Sequence, residues 1–520
     1  MDLSKNKRKF TAFGTAPVAS GQAPSNHVPI APRADLGDAA LDRCLRWLGA
    51  TGATWADGCD CVNLPDRGFC IMRGSVLPAG QAALAIPTHL ALSFEAADSG
   101  VSGNSEPAVV EAIRKVRSTL CEASPAASSG SGEHGPDAPA ADAVMRALSP
   151  GQELTEALSL ALILHEAFVR GSASFWHPYF ACIPAAAEEM GAAHWHPEEL
   201  ARGCLSGGAA HIAAELAAAD AFLEAVARTV LLPLTATAPT LFPAEFCTMK
   251  NLRWSFAAWR ARAMAPGVLV AGLEFGALLP GADFFNHSCG VVSTFQACSL
   301  LVDRPDTDPE RPTSCSGPVL GRGKVAAIAL SFGRAVGGAL SSGQPLELLI
   351  NYGAKETEHF VLFYGFVPSE GATTRVSLRS DSVSSSTGST AALLVLHAPP
   401  PAALLQHAAS LATARAGCAG PMAQLVSLLQ GEAEAAQERQ ESCSRGQEEG
   451  GSKGQRRRSA LAVAYHASAR SVLEWHVRVL RLMDDAESTQ GVPACDTDKN
   501  GWFNKNGFYE AAAVISAGGR

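Results

Sequence analysis

The chain has no pair of cysteines spaced C-x-x-C, although it holds 14 Cys among 520 residues. Only Cys59 and Cys61 lie close together, as C-x-C. Such scatter writes neither a zinc framework nor a disulfide scaffold, so no metal site is expected. Reduced thiols in an intracellular compartment, chloroplast or cytoplasm, are expected instead. No apolar run reaches the ~18 residues that span a bilayer, and there is no secretory apolar region; no membrane contact is expected. An excess of basic charge is missing too. The net charge is −9 and the pI is near 5.9. That argues against a general nucleic-acid binder, because neutralising phosphates takes a basic surface. Aromatics make up only 7 % of the chain and Tyr occurs five times.

What is present is material for real cores: 47 % of the residues are hydrophobic. The length suits about three domains. The first 34 residues carry Lys5, Lys7, Arg8, Lys9 and Arg33 against one acid, Asp2, and are rich in Ala, Ser and Pro. Such a segment (1–35) reads either as an organelle transit peptide or as a disordered tail. Order is expected from near Leu36, where Leu41, Cys44, Leu45 and Leu48 repeat at helical spacing. From Val62 to Phe94 short apolar runs alternate with Arg67-Gly68, Pro78-Ala79-Gly80 and Pro87, the punctuation of strands and turns. The spacing predicts helices over Leu154–Val169, Gly208–Leu231 and Cys247–Met264, and strands over Val325–Phe332 and Leu346–Asn351. Low-complexity inserts fall at 123–141 and 305–323. An apolar helix is expected from His359 to Tyr364, and a strand at Ala391–Leu396. Beyond it the pattern is helical over Ala402–Ala416, Met422–Ala436 and Ala460–Met483, with a solvated charged spacer at Gln437–Arg458.

Two clusters invite a metal reading. DTDKNGWFNKNG (Asp496–Gly507) opens like a calcium-binding loop, but position 12, which should be a bidentate Glu, is Gly507, and no helix is evident after it. It reads as a polar turn. The second cluster is LLPGADFFNHSCG (Leu278–Gly290), where Asp283, Asn286 and His287 stand between Phe284 and Phe285. The four-residue step from Asp283 to His287 matches a helical ligand pair, but Pro280 and Gly281 precede it and no second cluster completes a shell. Polar groups in so apolar a setting need partners, and a bound ligand is one way to supply them. Trp254 and Arg262 lie two turns apart on one helix face, so Arg262 either snorkels or holds an anion.

GADFFNHS followed by LELLINYG resembles the two halves of the SET-domain methyltransferase signature. The nearest branch is that of plant Rubisco large-subunit lysine methyltransferase and its animal relatives, which include an actin-histidine methyltransferase. Asp66 to Phe69, Leu77 to Gly80 and Ala85 to Pro87 resemble the opening strands. Trp176 to Tyr179 with Ile183-Pro184, the WSFAAWRARAM segment from Trp254, and Tyr352-Gly353 leading to Tyr364-Gly365-Phe366-Val367 follow in the branch's order. The resemblance implies an α+β fold. Its SET domain (36–368) would be small twisted sheets around a knot-like crossing, the pseudoknot, with a helical insert at about 154–246. An all-α C-terminal domain (390–486), similar to the branch's substrate-binding domain, and a tail (487–520) would follow.

The activity implied is methyl transfer from S-adenosylmethionine to a lysine side chain of a non-histone protein, by a monomer. By resemblance Arg67, Gly68, Phe69, Arg262, Asn286 and His287 would bind the cofactor. Tyr352 would be catalytic, orienting the acceptor nitrogen rather than acting as a base, since a phenol of pKa near 10 is a poor base at neutral pH. Asp283 and Tyr364 would line the acceptor side. Ala261, Met264 and Pro266 depart from the branch's pattern there, which leaves the substrate open. Two alternatives stand beside this reading: a histidine acceptor, and a SET-fold module that binds a partner with little or no catalysis.

Overall fold

A computed structural model describes residues 38–64, 67–123, 152–202, 210–264, 273, 276–288, 291–301, 324–337, 345–353, 355–368, 373–377, 391–395, 398, 400–414, 421–445, 453–490 and 505–518. The N-terminal segment, both low-complexity inserts, Asp66 and Pro266 lie outside them, as does most of the calcium-loop-like stretch. The described residues form two compact units. One is drawn from the chain up to Met190 and from Ala217–Tyr352, the other from Gly191–Leu216 and from Gly353 onward.

The first unit is built on short strands. They are β1 (Thr54–Trp55), β2 (Cys59–Leu64), β3 (Gly68–Arg73), β4 (Val76–Leu77), β5 (Ala82–Pro87), β6 (Ala263–Met264), β7 (Ala277–Leu278), β8 (Asn286–His287), β9 (Ser293–Leu301), β10 (Lys324–Phe332), β11 (Val336–Gly337) and β12 (Leu346–Ile350). Two four-stranded sheets result, ordered β1-β5-β10-β9 and β2-β3-β12-β8, with two-stranded pairs β4–β11 and β6–β7. β12 is antiparallel to β3 but parallel to β8, with Leu349 opposite Asn286 and Ile350 opposite His287. That parallel pair joins segments far apart in the chain, so no local turn signal could announce it.

Helices of the same unit follow the predicted periodicity. Asp38–Ala50 buries Leu41, Cys44, Leu45 and Leu48, one apolar stripe. Gln152–Leu164 runs on into a π-helical turn, His165–Val169. Ala210–Val226, which enters this unit at Ala217, also passes into a π turn and continues past the expected end to Thr237, because Pro233 falls in the first turn of the next helix, where a missing N–H costs nothing. Met249–Arg262 is capped by Thr248, whose hydroxyl accepts from the Asn251 amide. Trp176, Tyr179, Phe256, Phe284 and Phe285 are among its fully buried side chains.

The second unit departs from three expectations. It is not purely helical: the strand expected at Ala391–Leu396 forms as β14 (Ala391–Val395), paired antiparallel with β13 (Thr373–Ser377). The charged spacer is largely helix, because Pro421–Arg445 and Lys453–Gln490 extend into it from both sides. Its Glu, Gln, Arg and Lys residues are good helix formers, and Gln437 bonds Glu441 one turn on. Finally, a helix does follow the calcium-loop-like stretch, at Lys505–Gly518. Phe508, Ala511, Ala512 and Ile515 are buried at i, i+3, i+4 and i+7, and Phe508 lies edge-on to Trp475 at 5.7 Å. The two long helices share a core that includes Leu425, Leu429, Val472 and Leu480.

Among the described residues no helix is long and apolar enough to cross a membrane. The nine cysteines described are free thiols.

Candidate active site

The Pro280-Gly281 turn aims the site. Gly281 has φ +94°, a left-handed conformation, and a Cβ there would stand 3.2 Å from Leu48 Cδ1. The turn delivers Asp283 on a short 3₁₀ segment, Ala282–Phe284. Phe284 and Phe285 then anchor the chain, Phe284 against Phe69 at 5.2 Å and Phe285 stacked on Trp55 at 6.0 Å. β8 follows immediately, so Asn286 and His287 are presented from a strand whose approach is fixed by two buried rings.

The parallel pairing brings the two halves of the motif together. Beyond the paired residues, the Ser288 amide donates to the Ile350 carbonyl at 3.0 Å. The Tyr352 amide donates to His287 Nδ1 at 3.1 Å. In the neutral ring Nδ1 is therefore the acceptor, and the proton sits on Nε2. The Tyr352 hydroxyl donates to the Phe285 carbonyl at 2.7 Å, and the Tyr352 and His287 rings lie 5.1 Å apart. Three interactions thus fix Tyr352 against Phe285 and His287.

Asn286 is held by its amide nitrogen. Nδ2 donates to Glu347 Oε1 at 2.8 Å, Cys70 Sγ at 3.1 Å and the Phe69 carbonyl at 3.2 Å. The other oxygen of Glu347 takes Arg67 Nη1 at 2.6 Å. Burial, with the nearby Glu347 charge, pushes the Cys70 thiol up to about 12, so it stays protonated. Sequence reasoning passed over Glu347. The available signal was an acid inside the apolar strand LELLI, two residues from Leu349 and hence on the strand face that also meets Asn286.

Asp283 and Arg262 find each other. Arg262 Nη1 lies 2.7 Å from Asp283 Oδ2, with side-chain exposures of 18 % and 2 %, so this is a buried ion pair. The Tyr179 hydroxyl donates to the same oxygen at 3.0 Å, and the Gly281 amide reaches Oδ1 at 3.2 Å. Burial and the Asp283 charge raise the Tyr179 phenol well above its ordinary value. Arg262 was expected to face the cofactor or line the substrate channel; its Nη1 pairs with Asp283, and its buried Nε has no hydrogen-bond partner.

Gly68 opens β3 with φ +69°, and nothing lies within 4 Å of where a Cβ would stand. The backbone is thus open to close approach beside Arg67 and Phe69. Tyr364 belongs to the second unit, at the end of a π-helical turn, Phe360–Tyr364. There the Lys355 ammonium stands 5.8 Å from its ring centroid, and burial lowers the Lys355 pKa. Among the described residues no group of three or more His, Cys, Asp or Glu side chains is placed to hold a metal.

No protein-family model matches the chain, and no curated protein matches it. Solved structures do. The SET domain of LSMT bound to lysine and AdoHcy is 15 % identical, with a TM-score of 0.48, over 87 % of this chain and 93 % of that one. The SET domain of LSMT bound to methyllysine and AdoHcy gives 15 % identity and a TM-score of 0.48 over 89 % and 98 %. Rubisco LSMT bound to AdoMet gives 15 % and 0.46 over 87 % and 93 %.

Proposed function

We propose that this chain is an S-adenosylmethionine-dependent protein N-methyltransferase whose acceptor is a lysine side chain of a non-histone protein. One observation carries the reading: the parallel pairing of β8 with β12, which sets Tyr352 against Phe285 and His287. The motif resemblance anticipated that meeting, and nothing local in either segment requires it.

The residues fit the cofactor. Asn286 has spent its amide nitrogen, and its Oδ1 has no partner among the described residues, leaving an acceptor for a ligand N–H. The open space at Gly68 admits a ligand against the backbone of Arg67 to Phe69. His287 would add its ring and backbone. When bound, S-adenosylmethionine supplies a methyl group on a sulfonium, which an amine displaces in line.

Tyr352 would do the positioning. Its hydroxyl proton is directed at the Phe285 carbonyl, and the oxygen would accept an N–H of the incoming amine. The amine must arrive neutral, and desolvation beside a cation lowers a lysine pKa in the required direction. Transfer is then a matter of alignment and exclusion of water. The buried Asp283–Arg262 pair would shape the wall on the acceptor side with little net charge.

The test is to incubate the purified chain with S-adenosylmethionine labelled in its methyl group and a cell lysate. Labelled protein, with the mark mapped by mass spectrometry to lysine, is expected. A mark on histidine would move the acceptor class. Cofactor binding with no labelled protein would leave a binding module.

A further inference from the structure

Glu347 was not among the residues the motifs singled out, yet its carboxylate joins two of them. Oε1 accepts from Asn286 Nδ2 at 2.8 Å and Oε2 meets Arg67 Nη1 at 2.6 Å. Its side chain is 11 % exposed, so the charge is mostly out of water and needs both partners. The sheet makes the bridge possible. Leu349 pairs with Asn286 across the β12–β8 edge, and Glu347, two residues earlier on the same face, reaches Asn286 diagonally. On the other side of β12, Glu347 is opposite Met72, and Cys70 stands two residues from Met72 on that face. Glu347 is therefore the central side chain of a row, Cys70–Glu347–Asn286, that crosses three strands.

The chemistry of the row fixes the orientation of the Asn286 amide. Two of its three neighbours, a carboxylate and a backbone carbonyl, can only accept. Rotating the amide by half a turn would set Oδ1 against both of them. The orientation with Nδ2 in the row is thus enforced, and Oδ1 becomes the atom left for a ligand. A site organised this way takes a group that brings its own N–H, an ammonium or an exocyclic amine.

We propose that Glu347 is a positioning residue of the cofactor site, locking Asn286 so that its amide oxygen receives an N–H of the ligand while restraining Arg67 beside it. The inference rests on the methyltransferase reading above. Glu347 touches no substrate; it acts through Asn286.

Titration calorimetry with S-adenosylhomocysteine tests this on the full-length chain, alongside thermal melting without ligand. Wild type, Glu347→Gln and Glu347→Ala are compared. The Ala variant frees Asn286 to rotate, and its Kd is expected to rise about tenfold or more, in the range seen when a supporting partner of a ligand-holding side chain is removed. Gln keeps an acceptor for Asn286 but turns a donor toward Arg67, so a smaller rise of about threefold is expected. With activity in hand, the KM for S-adenosylmethionine should rise in both variants while kcat at saturation changes little. If wild type binds and both variants bind equally well, the positioning role is overturned and the methyltransferase reading stands. Loss of the folded state in both variants would assign Glu347 to the stability of the sheet and overturn the proposal as well. Failure of the wild type to bind would instead remove the methyltransferase reading itself.

Discussion

The hydroxyl of Tyr352 donates a 2.7 Å hydrogen bond to the carbonyl oxygen of Phe285, the residue immediately before Asn286. The bond fixes the direction of the phenol O–H. Replacing Tyr352 by Phe keeps the ring and its packing on His287 but removes the oxygen. Stability is expected to fall by about 1 kcal/mol, the ordinary net worth of one hydrogen bond. Methyl transfer should fall roughly hundredfold, as when a preorganised polar group is removed from a reacting centre. Binding of S-adenosylhomocysteine should stay within about threefold of wild type, because 1.4 kcal/mol would already be tenfold. Turnover at the wild-type rate by Tyr352→Phe would show that this oxygen does not orient the acceptor.

The Arg262–Asp283 pair makes a different prediction, about stability. Both charges are buried, and Tyr179 and the Gly281 amide complete the carboxylate's partners. Asp283→Ala leaves the Arg262 charge without its counterion, a change that costs about 3–5 kcal/mol in buried pairs. Asp283→Asn keeps an acceptor for Tyr179 and should cost less. Exchanging both partners together, as Asp283→Leu with Arg262→Met, should recover part of the loss, because no lone charge remains. Urea denaturation of the four proteins measures this. A single Asp283→Ala variant as stable as wild type would show that Arg262 finds another way to be solvated.

Much of this was legible before any coordinates. The helix over Met249–Arg262 and the strands around Gly68 and Leu346 follow from periodicity and turn residues, which are local. The meeting of Asn286 with the Tyr352 segment is non-local, and only the motif resemblance anticipated it. β8 has two residues, too few to show an alternating pattern, so its pairing could not be read from propensity. Arg262 shows a different limit. Its spacing from Trp254 put it on the right helix face, but an internal counterion and a ligand make the same demand on a buried guanidinium. Glu347 was hidden because a single acid in an apolar strand reads as solvent-facing until the neighbouring strand is known. Phe508 was missed for another reason: attention to the polar residues before it obscured the i, i+3, i+4, i+7 stripe that begins there.

Two buried groups in the helical part of the first unit, Glu156 and His165, contribute opposite slopes to the pH dependence of stability. Burial raises the Glu156 carboxyl from 4.5 to about 7, against the opposing pull of Arg260, whose Nε stands 2.8 Å from it. Burial lowers the His165 imidazole from 6.5 to about 4. A raised folded pKa means that the folded state holds a proton the unfolded state has lost. Glu156 therefore makes stability fall as pH rises from about 4.5 to about 7. A lowered folded pKa has the opposite sign, so His165 makes stability rise from about pH 4 to about 6.5. The two slopes offset each other over most of this interval, and the Glu156 loss continues above pH 6.5. Glu156→Gln cannot ionise, so it removes the Glu156 part of the falling limb and leaves that of Glu166, whose carboxyl burial also raises. Relative to wild type its stability should climb between pH 4.5 and about 7, ending above wild type at pH 8 by on the order of 3 kcal/mol at most. The half-buried Arg260, which also lies over the Phe256 ring at 5.1 Å, keeps enough contact with water to stand without its partner. Chemical denaturation at half-unit pH steps measures both curves. Parallel curves for the two proteins would mean that Glu156 titrates alike in the folded and unfolded states.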